Sequence, residues 1–274
     1  MTRVLSAGVA LVVLIPFVRY GSPVSFSLLV AAAAAVGTWE FLRLAGFPGN
    51  RIALGLGAAA GAALAFGIPH FPPPAATLVV WAALLLFFSS ALCLPRHVWP
   101  APKGIPGGIL GIGFVGFTFG SMTLLRSFPE GGDGAEGWRW IFFLWLVVWA
   151  GDTGAYYGGR AWGSRPLHAR LSPKKTVEGA LAGMGASLAA GILAWAWFLP
   201  ARPEWGWLGA GAVGLLLGAA GQAGDLAESA IKRAAGVKDA GALIPGHGGM
   251  LDRLDALMFA GPILYAILWM RGIP

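Results

Sequence analysis

The sequence predicts an all-α, polytopic integral membrane protein with about nine transmembrane helices and a cytoplasm-facing polar cavity formed mainly by the C-terminal half. Three observations carry this prediction. Only 11% of the 274 residues are charged while 57% are hydrophobic, and the mean hydropathy is +0.72; a soluble domain carries roughly 25% charged residues. Residues 52–95 contain no Asp, Glu, Lys or Arg, a run long enough for two spans of about 20 residues each. The few charges are concentrated, most of all in GVKDAGALIPGHGGMLDRLD from Gly236 to Asp255.

Taken in order, Met1–Ser6 places one Arg before an apolar run and so imitates a signal peptide. No small-residue cleavage site followed by polar sequence appears, so Val4–Val18 is expected to be a short, retained first span centred near Val12. Further spans are expected near Val30, Gly61, Leu84, Phe114, Leu146, Leu188, Leu215 and Leu264, with GIPHFPPP (67–74) separating the third from the fourth. Residues 1–137 read as a transmembrane scaffold able to offer dimer contacts, and 138–274 as a transmembrane catalytic region. With the N-terminus inside, 14 of the 19 Lys and Arg fall on inside segments, which orients both polar-rich stretches, Asp152–Glu178 and Asp225–Asp255, toward the cytoplasm. The protein is thus expected in the cell (inner) membrane.

Several exclusions follow. The net charge of +7 is spread over loops between apolar spans, so nucleic acid is not an expected partner. The lone Cys93 excludes an intrachain disulfide and a cysteine zinc site, and suits a small packed residue. Glycines four apart, such as Gly57 and Gly61 or Gly179 and Gly183, fit ordinary close helix packing in lipid. Gly111-x-Gly113-x-x-Gly116 matches a dinucleotide fingerprint but has no preceding strand and no acid about 20 positions on.

Three clusters can carry chemistry. Asp152 closes an apolar run that begins at Trp140, a costly position for an ionisable group and so a functional candidate, though an interfacial acid reaching water fits equally. Ser172-Pro-Lys-Lys-Thr176 is expected to open a helix at Pro173 with Ser172 as cap. Its exposed N–H groups, with Lys174 and Lys175, would suit a di- or triphosphate; a positive anchor in a cytoplasmic loop is the plainer reading. No Walker loop is present, since Gly158–Ser164 lacks the Gly-Lys pair. Asp225, Glu228, Ser229 and Lys232 share one face if helical, and Asp252 and Asp255, three apart, share another. Two acidic pairs converging on one cavity suit a hard cation such as Mg²⁺, and Gly246-His247-Gly248-Gly249 lets the backbone pass close to a phosphate. The competing reading is a loop of mutually neutralising salt bridges.

These residues carry a family resemblance. Ser229-Ala-Ile231-Lys232-Arg233, Lys238-Asp239, Gly241, Ile244-Pro245 and His247-Gly248-Gly249-Met250-Leu251-Asp252-Arg253-Leu254-Asp255 resemble the signature of the CDP-diacylglycerol synthases (phosphatidate cytidylyltransferases), without departure at a charged or glycine position. Asp152-Thr-Gly-Ala-Tyr156 with Gly159-Arg160, and Ser172–Thr176 with Glu178-Gly179, resemble two further family segments; Trp39-Glu40-Phe41-Leu42-Arg43-Leu44 resembles a weaker one. The specific resemblance covers about Asp152–Asp255. It implies a Mg²⁺-dependent, multi-pass enzyme, commonly a homodimer, that joins CTP to phosphatidic acid drawn from the bilayer and releases CDP-diacylglycerol and pyrophosphate.

By that resemblance Asp225 and Asp252 are metal ligands, supported by Glu228 and Asp255. Lys174 and Lys175 hold CTP phosphates with Ser172 and Thr176. Lys232, Arg233, Lys238 and Arg253 meet the lipid phosphate or pyrophosphate, and His247 binds phosphate or shuttles a proton. Asp152 serves a second cation or orients Lys174. Arg160, Glu178, Ser229, Asp239, Gly248 and Gly249 complete the expected substrate-binding set. Two alternatives remain: another CTP-using membrane transferase of the polyprenol-kinase kind, and an ion-coupled transporter, against which stands the absence of matching halves. A CDP-alcohol phosphotransferase lacks its D-G-x-x-A-R opening here.

Overall fold

The computed structural model describes residues 12–47, 50–71, 104–128, 137–199, 206–241 and 248–271. A helical stretch over residues 12–20 is followed by α1 (Pro23–Leu44), α2 (Arg51–His70), α3 (Gly104–Arg126), α4 (Trp138–Trp162), β1 (Pro166–His168), β2 (Ser172–Thr176), α5 (Val177–Trp197), α6 (Gly206–Ala234) and α7 (Leu251–Met270). Caps written in the sequence set several starts. Ser22 accepts from the Ser25 amide with Pro23 in the first turn, and Asn50 accepts from the Ala53 amide at 3.0 Å.

Among the described residues six helices, α1, α2, α3, α5, α6 and α7, are long and apolar enough to cross a membrane. They fall at the centres expected near Val30, Gly61, Phe114, Leu188, Leu215 and Leu264. α4, 25 residues long, matches the centre at Leu146, but its final third carries Asp152 and Arg160. The centre at Leu84 lies outside the described residues, and Val12 lies at their edge. Large apolar side chains such as Leu28, Ile52, Phe117, Leu181 and Leu193 stay exposed, as a lipid-facing surface requires.

One expectation is corrected. Ser172–Thr176 does not open a helix: it is a strand paired antiparallel with β1, Pro166 opposite Thr176 and His168 opposite Ser172. The helix begins at Val177, four residues after Pro173, because Thr176 rather than Ser172 is the cap and accepts from the Gly179 amide at 3.1 Å. Pro173 fits this short hairpin, since a two-stranded ribbon has an open edge on which a missing N–H costs nothing. Among the described residues the fold is therefore helical with one small hairpin.

By packing, the chain divides into Met1–Ser127 with Ala234–Arg253, and Phe128–Arg233 with Leu254–Pro274. Residues 234–253 of the signature stretch thus pack with the first unit. In the first unit α1, α2 and α3 enclose Leu42, Leu54, Leu64 and Ile112. Glycines make that approach possible: Gly111 faces the Phe41 ring and Gly61 faces Thr38. In the second unit Gly151, Gly154 and Gly158 of α4 lie against Ser187, Ala186 and Ala182 of α5, and the buried Ser187 hydroxyl donates to the Val147 carbonyl at 3.0 Å. The glycine spacing acts here as plain helix packing.

A lysine-centred cavity and a glycine turn

The second unit builds a polar site where α4, the hairpin, α5 and α6 meet. Glu178, in the first turn of α5, fixes the base of the hairpin. Its carboxylate accepts from the Ser164 amide and hydroxyl at 3.1 and 3.0 Å, and from the Arg165 amide and Nε at 3.2 and 2.9 Å. The Val177 amide donates to the Arg165 carbonyl at 2.9 Å, closing the same neck. The hairpin beyond it carries Lys174 and Lys175 over a cavity of about 510 Å³, also bordered by Asp152, Tyr156, Arg160, Gln222 and Asp225. That volume lies within the roughly 300–1,000 Å³ of small-molecule sites.

Lys175 is the hub. Its ammonium forms an ion pair with Asp225 of α6. Burial pushes it below the ordinary lysine range, while Asp255 and then Asp152 pull the other way. One turn beyond Asp225, Glu228 is 8% exposed and pairs with Lys232 at 2.5 Å across an i,i+4 step. The helical face expected for Asp225, Glu228 and Lys232 therefore exists. The Asp255 carboxylate accepts from the Ala256 amide at 2.8 Å. Cations and carboxylates alternate here, a setting that can take up a polyanion by exchanging internal partners for phosphate oxygens.

The first unit holds the other half of the signature. Gly248 has φ +81°, a backbone that other residues rarely adopt. Asp252 folds back on this turn, its Oδ2 accepting from the Gly249 amide at 2.8 Å and the Ala240 amide at 2.9 Å. Glu40 of α1, only 4% exposed, accepts from the Met250 and Leu251 amides at 3.1 and 3.0 Å.

Against the expected site, the structure brings Asp152, Lys174, Lys175, Thr176 and Asp225 to one cavity, with Arg160 and Ser172 on its wall. The electrostatic partner of Asp152 is Lys175 rather than Lys174. Glu178 is engaged by Ser164 and Arg165. Arg233 is exposed and Ser229 half-buried on α6; Lys238, Asp239 and Arg253 are exposed in the first unit, which also contains Asp252, Gly248 and Gly249. His247 lies outside the described residues. No group of three His, Cys, Asp or Glu side chains is gathered as a metal cage among the described residues. Sequence reading missed Tyr156 and Gln222 as cavity wall, because neutral side chains carry no signal of their own. It also gave Glu40 no role, although no other Asp or Glu precedes Glu130.

The family model described as the cytidylyltransferase family matches residues 1–271. The chain belongs to the cytidylyltransferase family. Among curated relatives, the chain is 34% identical over 262 residues to the phosphatidate cytidylyltransferase of Pseudomonas aeruginosa, covering 90% of this chain and 89% of the relative. It is 45% identical over 167 residues to that of Brucella suis, covering 61% and 58%. The Synechocystis sp. protein of the same name matches at 52% over 118 residues, 43% of this chain and 39% of the relative. The matched part thus spans about 58% of the length of the Brucella protein, and about nine-tenths of the Pseudomonas one.

Proposed function

We propose that this cytidylyltransferase joins CTP to phosphatidic acid at the cytoplasmic membrane face, giving CDP-diacylglycerol and pyrophosphate. The observation that supports it most is the cavity in which Lys174 and Lys175, on a clamped hairpin, meet Asp225 and Asp152 beside helices of membrane-spanning length. A phosphate oxygen of phosphatidate attacks the α-phosphorus of CTP, and the bond to the pyrophosphate oxygen breaks. The nucleophile is already ionised, so the obstacle is the approach of one anion to another. Lys174 and Lys175 reduce that repulsion, and Thr176 and Ser172 offer hydroxyl donors to the phosphates. Lys232, Arg233, Lys238 and Arg253 are the proposed contacts of the lipid phosphate and the departing pyrophosphate. Glu178 supports the substrate indirectly, by holding the hairpin.

The carboxylates of Asp225, Glu228 and Asp255 are oxygen donors of the type Mg²⁺ takes, and this ion commonly uses only one or two carboxylates and completes its shell with water and phosphate. These residues would hold the cation, and the resemblance gives Asp252 the same role; the ion would withdraw charge from the phosphates. Asp152 is the proposed carboxylate for a second cation. The same reading includes a cytoplasmic N-terminus and a homodimer.

Purified protein with phosphatidic acid, Mg²⁺ and α-labelled CTP is expected to carry label into the lipid phase, and EDTA to abolish it. A polyprenol kinase would instead transfer the γ-phosphate. Label entering a polyprenol from γ-labelled CTP, with none entering phosphatidate from the α position, would replace this reading.

A further inference from the structure

We propose that Glu40 is a positioning residue: its carboxylate anchors the Gly248–Asp252 turn and so fixes where Asp252 sits. For turnover this rests on the reaction proposed above; for the anchoring itself it does not. Glu40 lies 210 residues before Met250 and is 4% exposed, yet each of its oxygens takes one backbone N–H of the turn. A helix start leaves several such donors without partners inside the helix, and its partial positive charge favours a carboxylate there. Glu40 thus caps α7 from another helix.

The surroundings are shaped to this one side chain. A Cβ on Gly249 would stand 2.5 Å from Glu40 Oε2, and one on Gly241 would collide with Oε1. Gly37, nearly one turn earlier on α1, lies against the Leu251 side chain, itself 3% exposed. Gly241 and Gly249, two signature glycines, therefore make room inside the protein for an acid of α1. The turn that begins at Gly248 carries Asp252, whose carboxylate accepts from the Gly249 and Ala240 amides. A glutamine at position 40 would keep the shape but turn an NH₂ group toward one of the two amides, replacing an acceptor by a donor.

The test uses the full chain in detergent, with hydrogen exchange at Met250 and Leu251 and steady-state kinetics for CTP. Glu40→Gln is expected to keep its helical signal and elution volume, and to lose about ten-fold or more of the protection at those amides. It should lower kcat by a similar factor while KM for CTP stays within about two-fold, because the proposed CTP-binding lysines are on the hairpin. Gly249→Ala, which leaves Glu40 in place but pushes its carboxylate aside, should reproduce both effects and decides the matter if Glu40→Gln does not fold. Wild-type protection at Met250 and Leu251, or unchanged kcat, in a folded variant overturns the proposal. Should the wild type transfer no cytidylyl group, the reaction fails while the exchange data still judge the anchor.

Discussion

Lys175 is placed by the hairpin and paired with Asp225, and in the proposed reaction a phosphate of CTP would take the place of that carboxylate. Lys175→Met keeps most of the stem and removes the charge. It should cut kcat by about 10²–10³-fold, the scale of losing one preorganised donor to developing charge, with circular dichroism unchanged; full turnover in labelled-CTP assays would remove Lys175 from phosphate binding. Asp252→Asn is expected to abolish turnover. Because Asp252 also holds the Ala240 and Gly249 amides, exchange at those two positions separates the roles: retained protection with lost activity supports the metal assignment. The acids and lysines were legible in the sequence because charges are rare here. The purpose of Gly249 was not, since its reason is a carboxylate 209 residues away, and spacing along the chain says nothing of that approach.

At the scale of elements, the hairpin is tied to α5 by one carboxylate that takes four donors. Glu178→Ala should loosen the neck. Trypsin cleavage at Arg170 is expected to accelerate several-fold and KM for CTP to rise more than kcat falls; unchanged cleavage would mean that β1–β2 pairing and the Val177–Arg165 bond hold the neck without Glu178. The long helices were readable from composition, because a span needs only length and apolarity, both local properties. The hairpin was not. Ser172-Pro173 imitates a helix start, and the deciding facts, the pairing of Thr176 with Pro166 and the capping of Gly179 by Thr176, are tertiary or a matter of which of two hydroxyls wins.

At the scale of the whole molecule, the proposed orientation has the hairpin facing the cytoplasm. In a Cys93→Ser background, Arg170→Cys should react with a membrane-impermeant thiol reagent in inverted vesicles and resist it in right-side-out ones; the opposite pattern would reverse the topology. The packing division, in which 234–253 joins the N-terminal helices, could not be read from the sequence, where that stretch adjoins the C-terminal charges.

The cap that α1 gives to α7 also has a history in time. A ribosome adding about 5–20 residues per second completes Glu40 some 10–40 s before Met250 exists. For that interval the acid of α1 lacks the two amide donors that it later holds. The cap therefore waits on the start of the last helix and does not need its completion.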